Sequence, residues 1–554
     1  MIAVSGGDGF LAKRSDNTPV GVRSRRSGVS ARLVPAARRL AIALACALAA
    51  LAVAGQAAAK KSFGVADTHP VGMPDHGAKF FDLMNDIGMN EDRITILWDA
   101  AHPARIDRKA ELERMVEQAK AHRIEIVFSV FPQRATALAA NPGAATQFVT
   151  FLQIVANAFP DVTTFVVGNE FNQPKFYQPQ FDANCKSASG GSYMRLLARG
   201  YDALKAVNPD ITVISSVSPR GNDDCDARSN VSTSPVRFVR DMGIAYRALH
   251  RDRAAFDEFG IHLYPNQPTD PIEKGYQWPK VGASNLNRLK QALWDAYHDT
   301  AQPVPDWQPA TFSYGQGLSA LQPVKIWAGE VGWQVKVASG HAKPYYGREN
   351  VQVTTEERQA KIYADLVRMM NCDTAVDAML LYGLVDEPDL DRFQAGLLRA
   401  DWTPRDSYST VKQAIARAKS GCEGQPVQWR HSDTVLGAGV DFGKLRVQSL
   451  RQRWWGFSAT AKEDAGYSAG IFQVRGRALT DTGRDAIVRA LAGEGGAKAV
   501  LSERNTIKAY WSPIVRFPSK TLRRGNYVYG IRISAAMNPD RTQAFVSRVF
   551  QVGK

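Results

Sequence analysis

Two glutamates, Glu170 and Glu330, have side chains and positions that suggest chemistry. Glu170 ends the apolar run 164–169 (TFVVGN), and Glu330 ends a second apolar run, 324–329 (VKIWAG). Both runs favour β-strands, so each carboxylate would lie where a strand leaves the core. Two carboxyl groups that meet at strand ends can cleave a glycosidic bond. One protonates the leaving oxygen, and the other attacks or stabilises the anomeric carbon.

The framework that must position these carboxylates is predicted by alternating strand-like and helical segments. In segment 107–121, for example, Leu112, Met115, Val116 and Ala119 recur at helical spacing. Eight strand–helix units predict a (β/α)8 (TIM) barrel over residues 60–422. A doubly wound open sheet is the alternative, but it does not require eight units. The candidate strands are 63–67, 92–97, 124–131, 164–170, 212–217, 258–264, 324–330 and 375–382.

Long connections follow several of the predicted strands, at 171–190, 218–234, 265–283 and 332–354. Loops of this length are usually functional, and in a barrel they lie on the face that carries the active site. Asp386 and Glu387 follow the eighth strand and are expected in a solvated loop.

The composition changes after Cys422, where short alternating runs predict a small all-β, sandwich-like domain over residues 427–554. Residues 423–554 hold 21 basic and 10 acidic side chains, including Arg541 and the segments 451–455 (RQRWW) and 520–524 (KTLRR). This asymmetry suggests an anionic cell-wall polymer as a partner, and solvated surface charge is the alternative. No nucleic-acid motif is present, so no nucleic-acid partner is expected.

The first 59 residues have the pattern of a signal peptide. A basic region precedes the 15-residue apolar run 40–54, and small residues at 57–59 suit a cleavage site. The run is short for a membrane span, which needs about 20 residues. We therefore expect a secreted or cell-wall-associated protein with no transmembrane span in the mature chain, and an uncleaved anchor is the alternative.

Four cysteines remain outside the apolar run, namely Cys185, Cys225, Cys372 and Cys422. An even number in an exported protein suggests two disulfides, for which three connectivities exist. Pairing of neighbouring segments favours Cys185–Cys225 and Cys372–Cys422, with free buried thiols as the alternative. Cys and His show no metal-ligand spacing, so neither a metal site nor a cofactor is expected.

Several motifs together resemble the clan A retaining β-glycosidases, in particular the family 5 and family 39 enzymes. They are segments 88–98 (GMNEDRITILW), 169–170 (NE), 258–265 (EFGIHLYP), 328–333 (AGEVGW) and 396–408. The motifs occur in the family's order and fall on the predicted strands. The resemblance therefore implies a (β/α)8 barrel that hydrolyses O-glycosidic bonds in a poly- or oligosaccharide.

The resemblance also implies roles for individual residues. Glu170 would be the acid/base and Glu330 the nucleophile. Asn169 would donate to the sugar 2-hydroxyl, Arg93 would lie near the nucleophile, and Tyr264 would orient it. Each of these segments alone is a weak signal, and Arg93 could instead be an ordinary structural ion-pair residue.

Three further residues are candidates for substrate binding. His262 belongs to the sixth-strand His-x-Tyr motif, although it could be a satisfied core histidine. Tyr382 stands nearest to the Trp that the family presents after its eighth strand, and Trp333 is the preferred aromatic for stacking on a sugar. A barrel that binds polysaccharide without cleaving it, and a transglycosylase, are the alternative functions.

Overall fold

The computed structural model describes residues 61–306, 322–430, 436–443, 455–509, 511–517, 522–536 and 541–553. The predicted signal peptide, segment 451–454 and Lys520 lie outside these ranges. None of the helices within them has both the length and the apolarity needed to cross a bilayer.

Eight parallel strands close into a barrel in the order β1 to β8, and a helix follows each of them, as predicted. The strands are β1 (Ser62–Ala66), β2 (Glu91–Trp98), β3 (Glu125–Pro132), β4 (Thr164–Val167), β5 (Thr212–Ile214), β6 (Glu258–His262), β7 (Lys325–Val331) and β8 (Val376–Tyr382). The helices are α1 (Ala78–Ile87), α2 (Lys109–Ala121), α3 (Ala144–Ala158), α4 (Ser189–Val207), α5 (Pro235–Ala248), α6 (Leu286–Tyr297), α7 (Glu356–Cys372) and α8 (Asp406–Ala418).

The barrel has two apolar layers because strand side chains alternate between its two faces. One layer lies between the strands and the helices, where the predicted face of α2 is buried. A smaller cluster is separate from it and takes side chains from five strands. Its members are Val127, Val166, Ile214, Trp327, Ala378 and Leu380. This packing leaves the carboxyl ends of the strands to carry functional side chains.

The C-terminal region consists of two antiparallel sheets around a shared core, which agrees with the predicted all-β architecture. Strands β9 (Gly439–Asp441), β10 (Trp455–Thr460) and β13 (Ile514–Phe517) form the smaller sheet. The larger sheet contains β11 (Ala465–Val474), β12 (Ala499–Ile507), β14 (Gly525–Ala535), β15 (Thr542–Val546) and β16 (Phe550–Val552). Helix α9 (Asp481–Ala492) packs on β14.

Arg541, one of the cations named in the predicted basic region, is paired within the chain. Its guanidinium is only 11 % exposed and pairs with Glu463, with a second contact of 3.2 Å to Asp295 on α6. These contacts join the C-terminal sheets to the helical shell of the barrel. The positive charge of Arg541 is therefore already matched within the chain.

Both predicted disulfides are present. Cys185–Cys225 joins the long loops that follow β4 and β5, with a sequence separation of 40 residues. Cys372–Cys422 joins the end of α7 to the chain after α8, with a separation of 50 residues. The first bridge fixes two loops that border the mouth of the barrel.

Candidate active site

A β-bulge in β7 directs Glu330 into the mouth of the barrel. Ala328 pairs with Ile261 and Glu330 pairs with the next residue, His262, so Gly329 is the extra residue. A Cβ on Gly329 would lie 2.0 Å from a ring carbon of Trp327. Only glycine fits there, and the bulge therefore depends on its missing side chain.

Glu170 occupies an unusual backbone conformation after β4. Its φ is +43°, and Gly168 two residues earlier has φ +87°. A left-handed φ is costly for a residue with a side chain and persists only where the surroundings enforce it. Here Tyr193 fixes the end of β4, since its hydroxyl donates to the Val167 carbonyl and accepts from the Ser216 amide. The turn places the Glu170 carboxyl at the mouth of the barrel, near Glu330.

The two glutamates meet around one histidine. The Nδ1 atom of His262 lies 2.8 Å from Oε1 of Glu170 and 3.3 Å from Oε2 of Glu330. One carboxylate oxygen of each glutamate and one ring nitrogen of His262 all lie within 4.8 Å of one another. Both contacts involve Nδ1, so this nitrogen carries a proton that it can donate to a carboxylate. His262 therefore links the two carboxyl groups.

Glu330 is held ionised by three neighbours. Burial alone raises the pKa of this carboxyl, but the charges of His262 and Arg93 and the hydrogen bonds from Tyr264 and Arg93 outweigh burial and leave the pKa below its usual value. Nη1 of Arg93 donates to Oε1 over 2.5 Å, and the Tyr264 hydroxyl donates to Oε2 over 2.7 Å. Burial and the nearby Glu330 charge raise the pKa of Tyr264 well above its usual value, so the phenol stays protonated and can donate.

Arg93 also orients Asn169. Its Nη2 donates to Oδ1 of Asn169 over 2.6 Å and to the Ser129 hydroxyl over 2.9 Å. Because the carbonyl side of the amide faces Arg93, the amide nitrogen of Asn169 is left to donate to a ligand in the cleft. The predicted residues Arg93, Asn169 and Glu330 thus form one hydrogen-bonded group.

Glu170, His262 and Glu330 are also residue types that ligate metal ions. The arrangement does not favour a cation, because the Arg93 guanidinium already neutralises Glu330 and the imidazole proton occupies Nδ1. The donor set suits proton transfer between the carboxyl groups better than coordination.

A cleft of about 1110 Å³ opens above these residues at the carboxyl ends of the strands. Tyr264 and Tyr382 line it together with Phe393, and their rings meet edge to face at 5.3–5.9 Å. Phe393 was missed in the sequence because it lies in a loop without a strand signal. Phe131 and Phe176 form a second aromatic pair in the lining, with ring centroids 5.8 Å apart.

Trp333 is not placed for stacking on a ligand, contrary to the prediction. It is 2 % exposed, packs in the layer between strands and helices, and donates from its indole nitrogen to the Asp270 carbonyl. Its neighbours Gly332 and Gln334 line the cleft instead. The large apolar ring is stabilised more by burial against the helical shell than by exposure in an open cleft.

Asp386 also differs from the expected solvated loop residue. It is 1 % exposed and forms a two-pronged ion pair with Arg405, and it accepts a hydrogen bond from the Tyr345 hydroxyl at 2.6 Å. Its neighbour Glu387 does line the cleft. The buried pair fixes the loop after β8 that carries Glu387 and Phe393.

No family model and no curated protein matches the chain. A family 39 glycoside hydrolase from Bacteroides cellulosilyticus WH2 is similar, with 16% identity, a TM-score of 0.45, and coverage of 83% of this chain and 81% of that one. A GH5_18 protein from Streptomyces cattleya, in complex with GlcNAc, has 14% identity, a TM-score of 0.44, and coverage of 67% and 83%. Xylanase 10B from Thermotoga maritima has 13% identity, a TM-score of 0.39, and coverage of 65% and 96%. At these values the likenesses carry no argument about activity, which rests on the geometry of the site.

Proposed function

We propose that the protein is a secreted retaining β-glycosidase that hydrolyses O-glycosidic bonds in a poly- or oligosaccharide. The proposal is carried by one observation: carboxylate oxygens of Glu170 and Glu330 approach within 4.8 Å at the mouth of the barrel. Retaining enzymes have carboxyl groups about 5–5.5 Å apart, whereas inverting enzymes need about 6.5–9.5 Å to admit a water. The short separation favours double displacement.

The first step joins the sugar to Glu330. The ionised carboxylate attacks the anomeric carbon, the bond to the leaving oxygen breaks, and Glu170 gives its proton to that oxygen. Arg93 and Tyr264 suit this role for Glu330, because both donate to its oxygens and keep it anionic. Asn169 is oriented to donate to the sugar.

The second step releases the sugar. Glu170, now ionised, takes a proton from a water molecule, and the water oxygen attacks the anomeric carbon as the ester to Glu330 breaks. His262 contacts both carboxyl groups, so it can stabilise whichever of them carries the charge. A sugar hydroxyl in place of water would give transglycosylation with the same residues.

We infer that residues 1–59 direct export, that residues 60–422 form the catalytic domain, and that residues 427–554 form an accessory domain. The two disulfides suit an oxidising compartment outside the cytosol.

The experiment that tests the proposal separates the two glutamates by their roles. Glu170→Ala and Glu330→Ala are compared with wild type on aryl β-glycosides that carry good or poor leaving groups. The first variant should keep its bond-breaking step on 2,4-dinitrophenyl glycosides, which need no proton, and lose about 10²–10⁴-fold on poor leaving groups. The second variant should lose activity on both.

Azide provides the stereochemical readout. Azide should restore activity to both variants. The product should be a glycosyl azide of inverted configuration with Glu330→Ala, and one of retained configuration with Glu170→Ala. Glu117→Gln, on the exposed surface of α2, is the control carboxylate. Wild-type rates in either alanine variant would remove that glutamate from the mechanism. Saturable binding of β-linked glycans by wild type without any cleavage would instead favour a non-catalytic barrel.

A further inference from the structure

The proposed function fixes which end of the cleft receives which part of the substrate. The leaving group must lie beside the proton donor, and the attacked sugar must lie over the nucleophile. Glu170 follows β4, whereas Glu330 lies on β7. In the closed eight-stranded order, the β4–β5 side lies opposite the β8–β1 side. The leaving-group sugar therefore points towards the loops after β4 and β5.

Two cations line this β4–β5 end of the cleft. Lys175 follows β4 and Arg220 follows β5, and both are exposed. Within the described ranges, neither side chain forms an ion pair or donates a hydrogen bond to a carboxylate. Among the described residues that line the cleft after β4 and β5, Glu170 is the acidic one. This end therefore has an excess of positive charge.

The loop that carries Arg220 is fixed rather than loose. The Arg220 carbonyl accepts from the side-chain amides of Asn172 at 3.0 Å and Gln173 at 2.6 Å, both in the loop after β4. Burial raises the pKa of Tyr276, while the Arg220 charge lowers it and the Glu170 charge adds to the rise. Arg220 and Glu170 line the same cleft, and the charge of each acts on the Tyr276 hydroxyl.

Lys175 lies beside an aromatic surface. Its ammonium group is 5.3 Å from the centroid of the Phe176 ring, which packs edge to face against Phe131. Aromatic rings suit the apolar faces of a sugar, and a cation held over one of these rings suits an anionic substituent on the same sugar. The two features together define a surface for a charged sugar residue.

The cations at the β8–β1 end are matched by carboxylates, in contrast. His69 lies 2.5 Å from Asp67, and Arg392 lies 4.0 Å from Glu387. Arg108, which also reaches the cleft, pairs with Glu111. The excess of positive charge is therefore confined to the leaving-group end.

We propose that the leaving-group end of the cleft, formed by Lys175, Phe176 and Arg220, binds a sugar residue that carries a carboxylate or sulfate group. The substrate would then be an acidic β-linked polysaccharide. This inference rests on the proposed function for its direction. A guanidinium can engage either anion with two parallel hydrogen bonds, so carboxylate and sulfate share this chemistry.

Binding to Glu330→Gln, which cannot form the glycosyl ester, tests the inference without turnover. The probes are matched oligosaccharides: β-1,4-gluco-oligosaccharides with their C6-oxidised glucuronate forms, and agaro-oligosaccharides with their sulfated counterparts. Calorimetry should show at least one charged probe binding about tenfold tighter than its neutral partner at low salt. The advantage should shrink as ionic strength rises. The pair of probes that shows this affinity advantage identifies whether the recognised anion is a carboxylate or a sulfate.

Variants then locate the effect. Arg220→Met or Lys175→Met, made in the Glu330→Gln background, should bring the ratio of charged to neutral affinity towards one. Arg114→Met removes the same charge from the exposed surface of α2 and should leave the ratio as it was. Charged probes that bind no tighter than neutral ones, or an equal fall in Arg114→Met, would overturn the inference. Cleavage of neutral glycans by wild type would show independently that the proposed function still stands.

Discussion

Glu91 provides a sharp test of the electrostatics inside the barrel. It begins β2, and its carboxylate accepts a hydrogen bond from the Trp327 indole at 2.7 Å. Burial raises the pKa of Glu91 to about 7; the Trp327 hydrogen bond opposes this rise, and the Glu125 charge adds to it. Glu91→Gln removes the ionisable group but keeps a carbonyl oxygen that can accept from Trp327.

The direction of the effect follows from proton binding. Between the ordinary pKa of 4.5 and the raised value of about 7, the folded state binds a proton at Glu91 more strongly than the unfolded state does. The stability of the folded state therefore falls as pH rises through this range. At about 1.4 kcal/mol for each pH unit, ionised Glu91 costs the folded state about 3 kcal/mol by about pH 8. At about pH 5 the cost is below about 1 kcal/mol.

The assay is urea unfolding at these two pH values, followed by tryptophan fluorescence with the disulfides intact. The quantity compared is the free energy of unfolding of Glu91→Gln minus that of wild type. This difference should be about 2 kcal/mol more favourable to the variant at the higher pH than at the lower pH. Burial also raises the pKa values of Asp92 and Glu258, so the comparison with wild type isolates Glu91. Glu117→Gln, on the exposed surface of α2, controls for the loss of one charge. Equal pH dependence in wild type and Glu91→Gln would refute the reasoning.

The remaining predictions concern the site and the loops around it. Arg93→Lys loses the forked contacts to Glu330 and Asn169, so the pKa of Glu330 should rise. The acidic limb of the pH profile of kcat/KM should then move to higher pH. An unchanged acidic limb would contradict this role of Arg93. The double variant Cys185→Ala/Cys225→Ala releases a 40-residue loop and should lower the free energy of unfolding by up to about 4 kcal/mol. Urea unfolding of the variant and of wild type measures this difference. An unchanged unfolding midpoint would show that the bridge does not constrain the unfolded chain.

The strands and the two glutamates could be predicted because both are encoded locally. An apolar run such as 164–167 has strand propensity in its own residues, and a carboxylate directly after it must lie at the strand end. The disulfides followed from pairing neighbouring segments. These features require no knowledge of which distant residues will pack together.

Features that depend on distant partners could not be read in this way. Asp386 is polar and follows a strand, which is typical of a solvated turn, but Arg405 from the start of α8 buries it. No residue close to Asp386 in the sequence indicates that it pairs with Arg405. In the same way, the excess charge of Lys175 and Arg220 becomes visible only once the barrel shows that the loops after β4 and β5 lie side by side, away from the carboxylates at the opposite end.

Trp333 and Glu330 show how one backbone irregularity decides which side chains reach the cleft. The bulge at Gly329 changes the pairing register of β7 by one residue, and a shift of one residue exchanges the two faces of a strand. Glu330 faces the cleft as a result, while the Trp333 amide donates to the Tyr363 hydroxyl and its carbonyl accepts from Gln359, both on α7. A side chain at position 329 would collide with the Trp327 ring, so the bulge requires glycine there. The position of the proposed nucleophile therefore depends on the close contact between Gly329 and Trp327, and a Gly329→Ala variant should disturb Glu330 before it disturbs the barrel.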